Sequence, residues 1–148
     1  FNMSIMGFIL LGYVLLNGGQ LNGPIVGSII GAMSFGAFGN QVKNTVPVLV
    51  GIMIGCYLTG VDAASTSALV AAIFGTTLAP VSGYYGAIAG MIAGFVHITL
   101  VSHVVVMHGG LNLYNNGFAG GFVAAVLVPI FEIFEGIRQD IKERKAEG

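Results

Sequence analysis

Long apolar runs separated by short polar or Pro/Gly breaks organise this chain. The runs cover residues 5–16, 24–38, 45–59, 63–79, 84–107 and 118–134. The breaks are 17–24, 39–44, the stretch before 63, 80–83 and 108–117. None of the runs shows the strict two-residue alternation of a half-buried strand, and each reads as a helix. A perpendicular membrane span needs about 20 residues. Only 84–107 exceeds that comfortably. The second and third runs are near 15 residues. They either recruit their polar flanks to complete a span or form short, re-entrant half-helices, which mark a transporter's central site. Pro24 suits a helix start, where a missing N–H costs nothing. Pro80 to Gly83 read as a chain break.

Charge sharpens this picture. Only Lys43 and Asp62 are charged before residue 132; the remaining charged residues crowd the C-terminal stretch from Glu132 to Glu147. Charged residues make up 7% of the chain and apolar ones 55%, against roughly a quarter charged in an average soluble protein. Water cannot be the solvent for most of such a surface. The expected fold is all-α, a polytopic integral membrane bundle over 1–134 with an amphipathic, charged tail at 135–148. Arg138, Lys142, Arg144 and Lys145 place the tail in the cytoplasm by the positive-inside rule. With six crossings the Lys43 loop is also inside and Asp62 outside. In the tail, Ile130, Phe131, Phe134, Ile137 and Ile141 follow helical spacing, so the tail is expected to lie along the lipid headgroups. Phe1 leads into an apolar run without a basic region or cleavage signal. The chain is therefore expected to be the C-terminal part of a longer protein of the cell inner membrane.

Small residues recur every fourth position: Gly23, Gly27 and Gly31; Gly51 and Gly55; Gly86, Gly90 and Gly94. At that period they share a helix face, and they either let helix backbones approach closely or line a narrow pore. The single cysteine, Cys56, has no partner for a disulfide or a zinc site and reads as a small buried apolar residue. There is no basic patch outside the tail, so nucleic acid is not an expected partner.

Candidate chemistry falls on neutral groups. The stretch 108–121 carries His108, Asn112, Tyr114, Asn115 and Asn116 among five glycines. It reads either as an external loop or as an unwound segment lining a polar site at membrane depth. Gln20 and Asn22 occupy the earlier Asn/Gly break, and Asn22-Gly23 with Gly27 echoes Asn116-Gly117 with Gly121, each pair opening an apolar helix. Of the three histidines, His97 is the deepest; it is a proton-relay or solute-contact candidate, or else a neutral histidine bonded to a neighbouring carbonyl. On one helix His97 and His108 share a face but lie roughly 16 Å apart, so no metal site is expected. Asp62 is placed to cap the helix starting at Ala63, or to attract cations at a vestibule. Pro80-Val81-Ser82-Gly83 lacks the Gly-x-Ser-Gly of a rhomboid-like protease, so an intramembrane enzyme is disfavoured and no cofactor is implied.

The stretches 16–44 and 108–121 resemble an uncharacterised bacterial multi-pass membrane family, domain of unknown function 1576. The resemblance covers most of the chain and carries no established activity or site residues. A fainter likeness, at the level of architecture, is to urea channels, with short half-helices around a central slot. The expected function is a transporter or channel for a small polar solute, with a site built from the two Asn/Gly breaks and His97. A non-transporting scaffold or assembly subunit is the alternative. Expected partners are the lipid bilayer, the solute, and either a second copy of the chain or a preceding N-terminal half.

Overall fold

The computed structural model describes residues 1–104 and 112–146, and every regular element among them is helical. The helices are α1 (Asn2–Leu16), α2 (Gly23–Met33), α3 (Val42–Thr59), α4 (Thr66–Gly75), α5 (Ala79–Tyr85), α6 (Ala87–Val101) and α7 (Asn112–Ala146). A 3₁₀ turn at Ser34–Ala37 extends α2, and another at Thr76–Leu78 joins α4 to α5. The result is a bundle of six rods. Val42–Thr59, Thr66–Tyr85 and Asn115–Ala146 are long and apolar enough to cross a membrane; Asn2–Leu16, Gly23–Ala37 and Ala87–Val101 are apolar but shorter.

Side-chain contacts fix the direction of each rod. At one end Asn2 donates to the carbonyls of Gly36 and Asn40, joining the start of α1 to the end of the α2 rod. Tyr85 sits at the same end with α7, its ring 5.4 Å from that of Phe131 and its hydroxyl 3.5 Å from Glu132 Oε1. At the other end Asn22 bonds Thr66, joining the starts of α2 and α4. We call these the Lys43 end and the Asp62 end.

The closest packing is between α3 and α6, which run parallel. Pro47 faces Gly90, Val48 faces Gly94, Gly51 faces Met91 and Gly55 faces Ile98. A Cβ on Gly51 would run into the Met91 backbone, and one on Gly94 into the Val48 carbonyl. Such close backbone approach brings many atoms of the two helices into van der Waals contact. Gly23 and Gly27 behave differently, with nothing within 4 Å of a Cβ added at either.

Four sequence expectations are corrected by the fold. Pro80 to Gly83 do not break the chain; helix continues to Tyr85, and the break falls at Gly86, whose φ of 94° favours glycine. The run at 84–107 accordingly becomes the 15-residue helix α6. The cap of α4 is Ser65, which accepts from the Ala68 N–H at 3.3 Å; Asp62 instead accepts from Ala64 in the preceding turn at 3.0 Å. Lastly, Asn112 to Gly121 form the first turns of α7 and are not unwound.

The survival of helix through Pro80 has a specific cause. A helical proline leaves the carbonyl four residues earlier without its usual donor, here that of Thr76. Ala79 N–H reaches that oxygen in the 3₁₀ turn, and the buried Asn40 side chain donates to it at 2.8 Å. Asn40 thus stands in for the missing Pro80 N–H. Asn44, also buried, closes the adjoining turn by accepting from Gln41 N–H at 2.7 Å and donating to the Gly39 carbonyl at 3.0 Å.

This link is testable by a double-mutant cycle read by equilibrium unfolding in mixed micelles. Asn40→Leu is expected to cost about 1–3 kcal/mol, the range for stranding a buried polar group. In a Pro80→Ala background, where an N–H returns, the cost should shrink by about 1 kcal/mol or more. Equal costs in both backgrounds would dissociate Asn40 from the proline.

Candidate functional site

A cavity of about 930 Å³, lined by hydroxyl and amide side chains among apolar ones, lies at the Asp62 end. Its walls are the start of α2, the start of α4 with Val61, the end of α6 and the start of α7. Each wall has a local reason for its position. Asn22 caps α2 by accepting from the Ile25 N–H at 3.1 Å, and its amide nitrogen donates to Thr66 Oγ1 at 2.8 Å. One side chain therefore starts one helix and ties it to the next. Gly23 and Gly27 line the α2 wall with open space beside them, nothing lying within 4 Å of an added Cβ.

Among the described residues the polar groups on these walls are hydroxyls and amides, and none of the lining side chains is charged. Ser28 Oγ donates to the Pro24 carbonyl at 2.7 Å. Ser102 Oγ donates to the Thr99 carbonyl at 3.1 Å and to that of Ile98 at 3.4 Å. Asn115 and Asn116 enter from α7, both buried. Apolar area between them comes from residues such as Val70, Phe74, Ile98 and Val101.

Behind Asn116 lies His97, fully buried on α6. Its Nε2 sits 3.2 Å from the Ala71 carbonyl. A carbonyl only accepts, so Nε2 carries the hydrogen and Nδ1 is left as a bare acceptor. Asn116 is the ring's side-chain neighbour, close enough to act on it as a hydrogen-bonding group. The two are not aligned for a bond of good geometry: His97 Nδ1 and Asn116 Oδ1 are both buried without such a partner. On the far side Gly75 lies against the ring, where a Cβ would come within 2.9 Å of Cδ2. Ile52, Ile73 and Ala93, all fully buried, belong to the core around this level. The cavity's lining runs from the Asp62 end to the level of that core, where Phe74 and Ile98 adjoin Ile73 and His97.

The family model described as "Protein of unknown function (DUF1576)" matches residues 1–133. The chain belongs to the DUF1576 family. No curated protein and no solved structure matches it.

In this DUF1576 chain the two Asn/Gly breaks, ninety residues apart in sequence, meet at one cavity. Asn115 and Asn116 line it, and His97 backs it without reaching its surface. Asn22 stands at the rim with its side chain committed to the α2 cap and to Thr66. Gln20 is exposed and outside the lining. Asn112 and Tyr114 are placed in the first turn of α7 by their backbone alone, and His108 lies outside the described residues. His103 is exposed, with Nδ1 2.7 Å from the Thr99 carbonyl, and does not join the site. Among the described residues no group of three or more His, Cys, Asp or Glu comes together. Ser28, Thr66 and Ser102 line the cavity and were missed from sequence. Their only signal is a hydroxyl at the end of an apolar helix, which also fits simple back-bonding to the helix.

If Asn22 is a structural tie, its loss should register as stability. Asn22→Ala is expected to lower stability by about 1–2 kcal/mol, while Asn22→Ser, which keeps a capping oxygen, loses only part of that. Thermal unfolding in detergent distinguishes the two; equal behaviour of both variants would remove the capping role.

Proposed function

We propose that this protein is a multi-pass carrier or channel for a small polar solute, and that the cavity at the Asp62 end is its binding site. The observation that carries the reading is the convergence of both Asn/Gly breaks on one uncharged cavity backed by a buried histidine. Transporter sites are built in this way, from helix starts that meet at membrane depth with polar groups facing a cavity.

The membrane reading rests on three helices with the length and composition to cross and on the near absence of charge before Glu132. The bonding pattern adds alternation: α1, α3 and α6 run from the Lys43 end toward the Asp62 end, and the other rods run back. Six crossings then put Lys43 and the C-terminal helix on one side and Asp62 on the other. With its basic residues, that side is the cytoplasm by the positive-inside rule. Single cysteines introduced at Asp62 and Asp140 in a Cys56→Ala background should react with an impermeant maleimide from opposite faces of intact inner-membrane vesicles. Labelling of both from one face would overturn six crossings.

The transport reading is tested by solute flux into proteoliposomes carrying the full-length protein. Gly27→Phe would fill the cavity from a position where an added Cβ meets nothing within 4 Å. It is expected to cut flux about tenfold or more while unfolding stays within about 1 kcal/mol of the parent. Gly121→Phe, at an exposed site on α7, should leave flux unchanged. Flux that survives Gly27→Phe removes the cavity from the path. Absence of flux in the parent favours the scaffold role.

A further inference from the structure

Helix α7 outruns the bundle. With 35 residues it is roughly 20 Å longer than the hydrocarbon layer it would cross. Glu132 lies beside Tyr85 at the Lys43 end, and the helix continues from there to Ala146. Over 132–146 every residue is exposed except the partly buried Glu135, so no other described element covers this extension. Its apolar residues nevertheless keep a pattern. Ile130, Phe134, Ile137 and Ile141 are spaced four, three and four apart, the alternation that draws one seam along a helix with a seven-residue repeat. They are 40%, 65%, 50% and 50% exposed. Phe131 and Glu132 are the residues that meet Tyr85, and both lie off the seam.

Charge indicates what such a seam meets. Between 132 and 146 there are four acidic and four basic residues, so the extension has no net charge to hold it on an anionic headgroup layer. The charges flank the seam in complementary order. With Ile137 and Ile141 at the d and a positions of the repeat, Asp140 takes a g position and Arg138 and Lys145 take e positions. In a parallel pair of such helices, a g residue of one faces the following e residue of the other. Asp140 then meets Lys145 of a second copy, and two-fold symmetry makes the same contact twice. The seam stops at Ile141, since the next seam position is Arg144. Two copies inserted in one membrane with the same orientation can only present these extensions in parallel.

We infer that the extension of α7 is a docking surface for a second copy of this chain, the two helices pairing in parallel through Ile130, Phe134, Ile137 and Ile141 with Asp140 bridged to Lys145 across the seam. Four seam layers are few for a coiled coil in water, where short helices are marginal. In a membrane the two copies are confined to one plane with their extensions already upright, which raises the effective concentration of one seam at the other. Glu132, Gln139 and Glu143 fall on the outer face of the pair and stay in water. The inference rests on α7 crossing the membrane and on no property of the cavity.

The test has a contact arm and a charge arm. Ile137→Cys, Ile141→Cys and Gln139→Cys are made singly in the full-length chain cleared of other cysteines, and inner-membrane vesicles are oxidised with copper phenanthroline. Disulfide-linked dimer is expected from the first two at least about fivefold above Gln139→Cys, which points away from the seam. Equal cross-linking at all three sites, or none, overturns the seam. For charge, Asp140→Lys and Lys145→Asp each set like charges across a self-pair, and each is expected to weaken pairing about tenfold, read by energy transfer between labelled copies in proteoliposomes. Mixing the two variants restores both opposite-charge contacts, so mixed pairs should form about as strongly as the parent. No recovery on mixing overturns the register and with it the parallel pair. A monomeric parent overturns the inference, whether headgroups or a preceding segment of the same chain cover the seam. Pairing without solute flux supports the inference and counts against the transport reading alone.

Discussion

Backbone carbonyls that have lost their helical donor must find another where water is scarce, and this requirement organises the molecule. An unpaired polar group in hydrocarbon costs several kcal/mol. The chain meets the requirement with neutral groups. Asn40 covers the oxygen exposed by Pro80, Asn2 covers two carbonyls at the end of the α2 rod, and Asn44 closes the turn into α3. Without the first of these the α4–α5 rod has no full replacement for its missing bond. Without the others the loop at 36–41 has no reason to fold against α1. The rods can then pack by backbone contact, as α3 and α6 do through Gly51 and Gly94.

The same chemistry separates support from site. At the Lys43 end amide nitrogens donate to carbonyls and are used up in doing so. At the Asp62 end Ser28 and Ser102 bond carbonyls of their own helices, while Thr66 accepts from Asn22 and ties α4 to α2. The positive bias of the helix starts at the cavity comes from the backbone alone and needs no ionised side chain.

Much of the architecture was legible in the order of residues because apolar runs and charge placement are local properties. The six rods and the positions of α1 and α2 followed from run lengths and from Pro24, whereas the run expected to be longest gave the 15-residue α6 and the third run, expected to be short, gave the 18-residue α3. The break assigned at 80–83 failed because the compensation for Pro80 comes from Asn40, forty residues earlier, and no local pattern records that bond. Gly86 was read as part of a packing ladder, yet its positive φ makes it the turn between two rods. Asn115 and Asn116 were legible as site candidates because polar amides are rare in apolar runs. Asn22 was equally conspicuous but is spent on a cap and a tie, a distinction that only geometry draws. Ser28 and Ser102 were silent because a serine that bonds its own helix looks the same in sequence whether its lone pairs face lipid or a cavity.

The unbroken course of α7 ties two distant parts of the molecule together. Its 35 residues make a rod roughly 50 Å long, with Asn116 near one end and the basic residues of the tail at the other. A rigid rod transmits rotation about its axis and tilt about its contacts along its whole length. The tail and the amide beside His97 are therefore carried by one helix. Pro129 is the only proline in that rod, and a proline is where a helix bends most readily. The length of α7 makes it a lever from the charged surface to the cavity, with a single joint along the way.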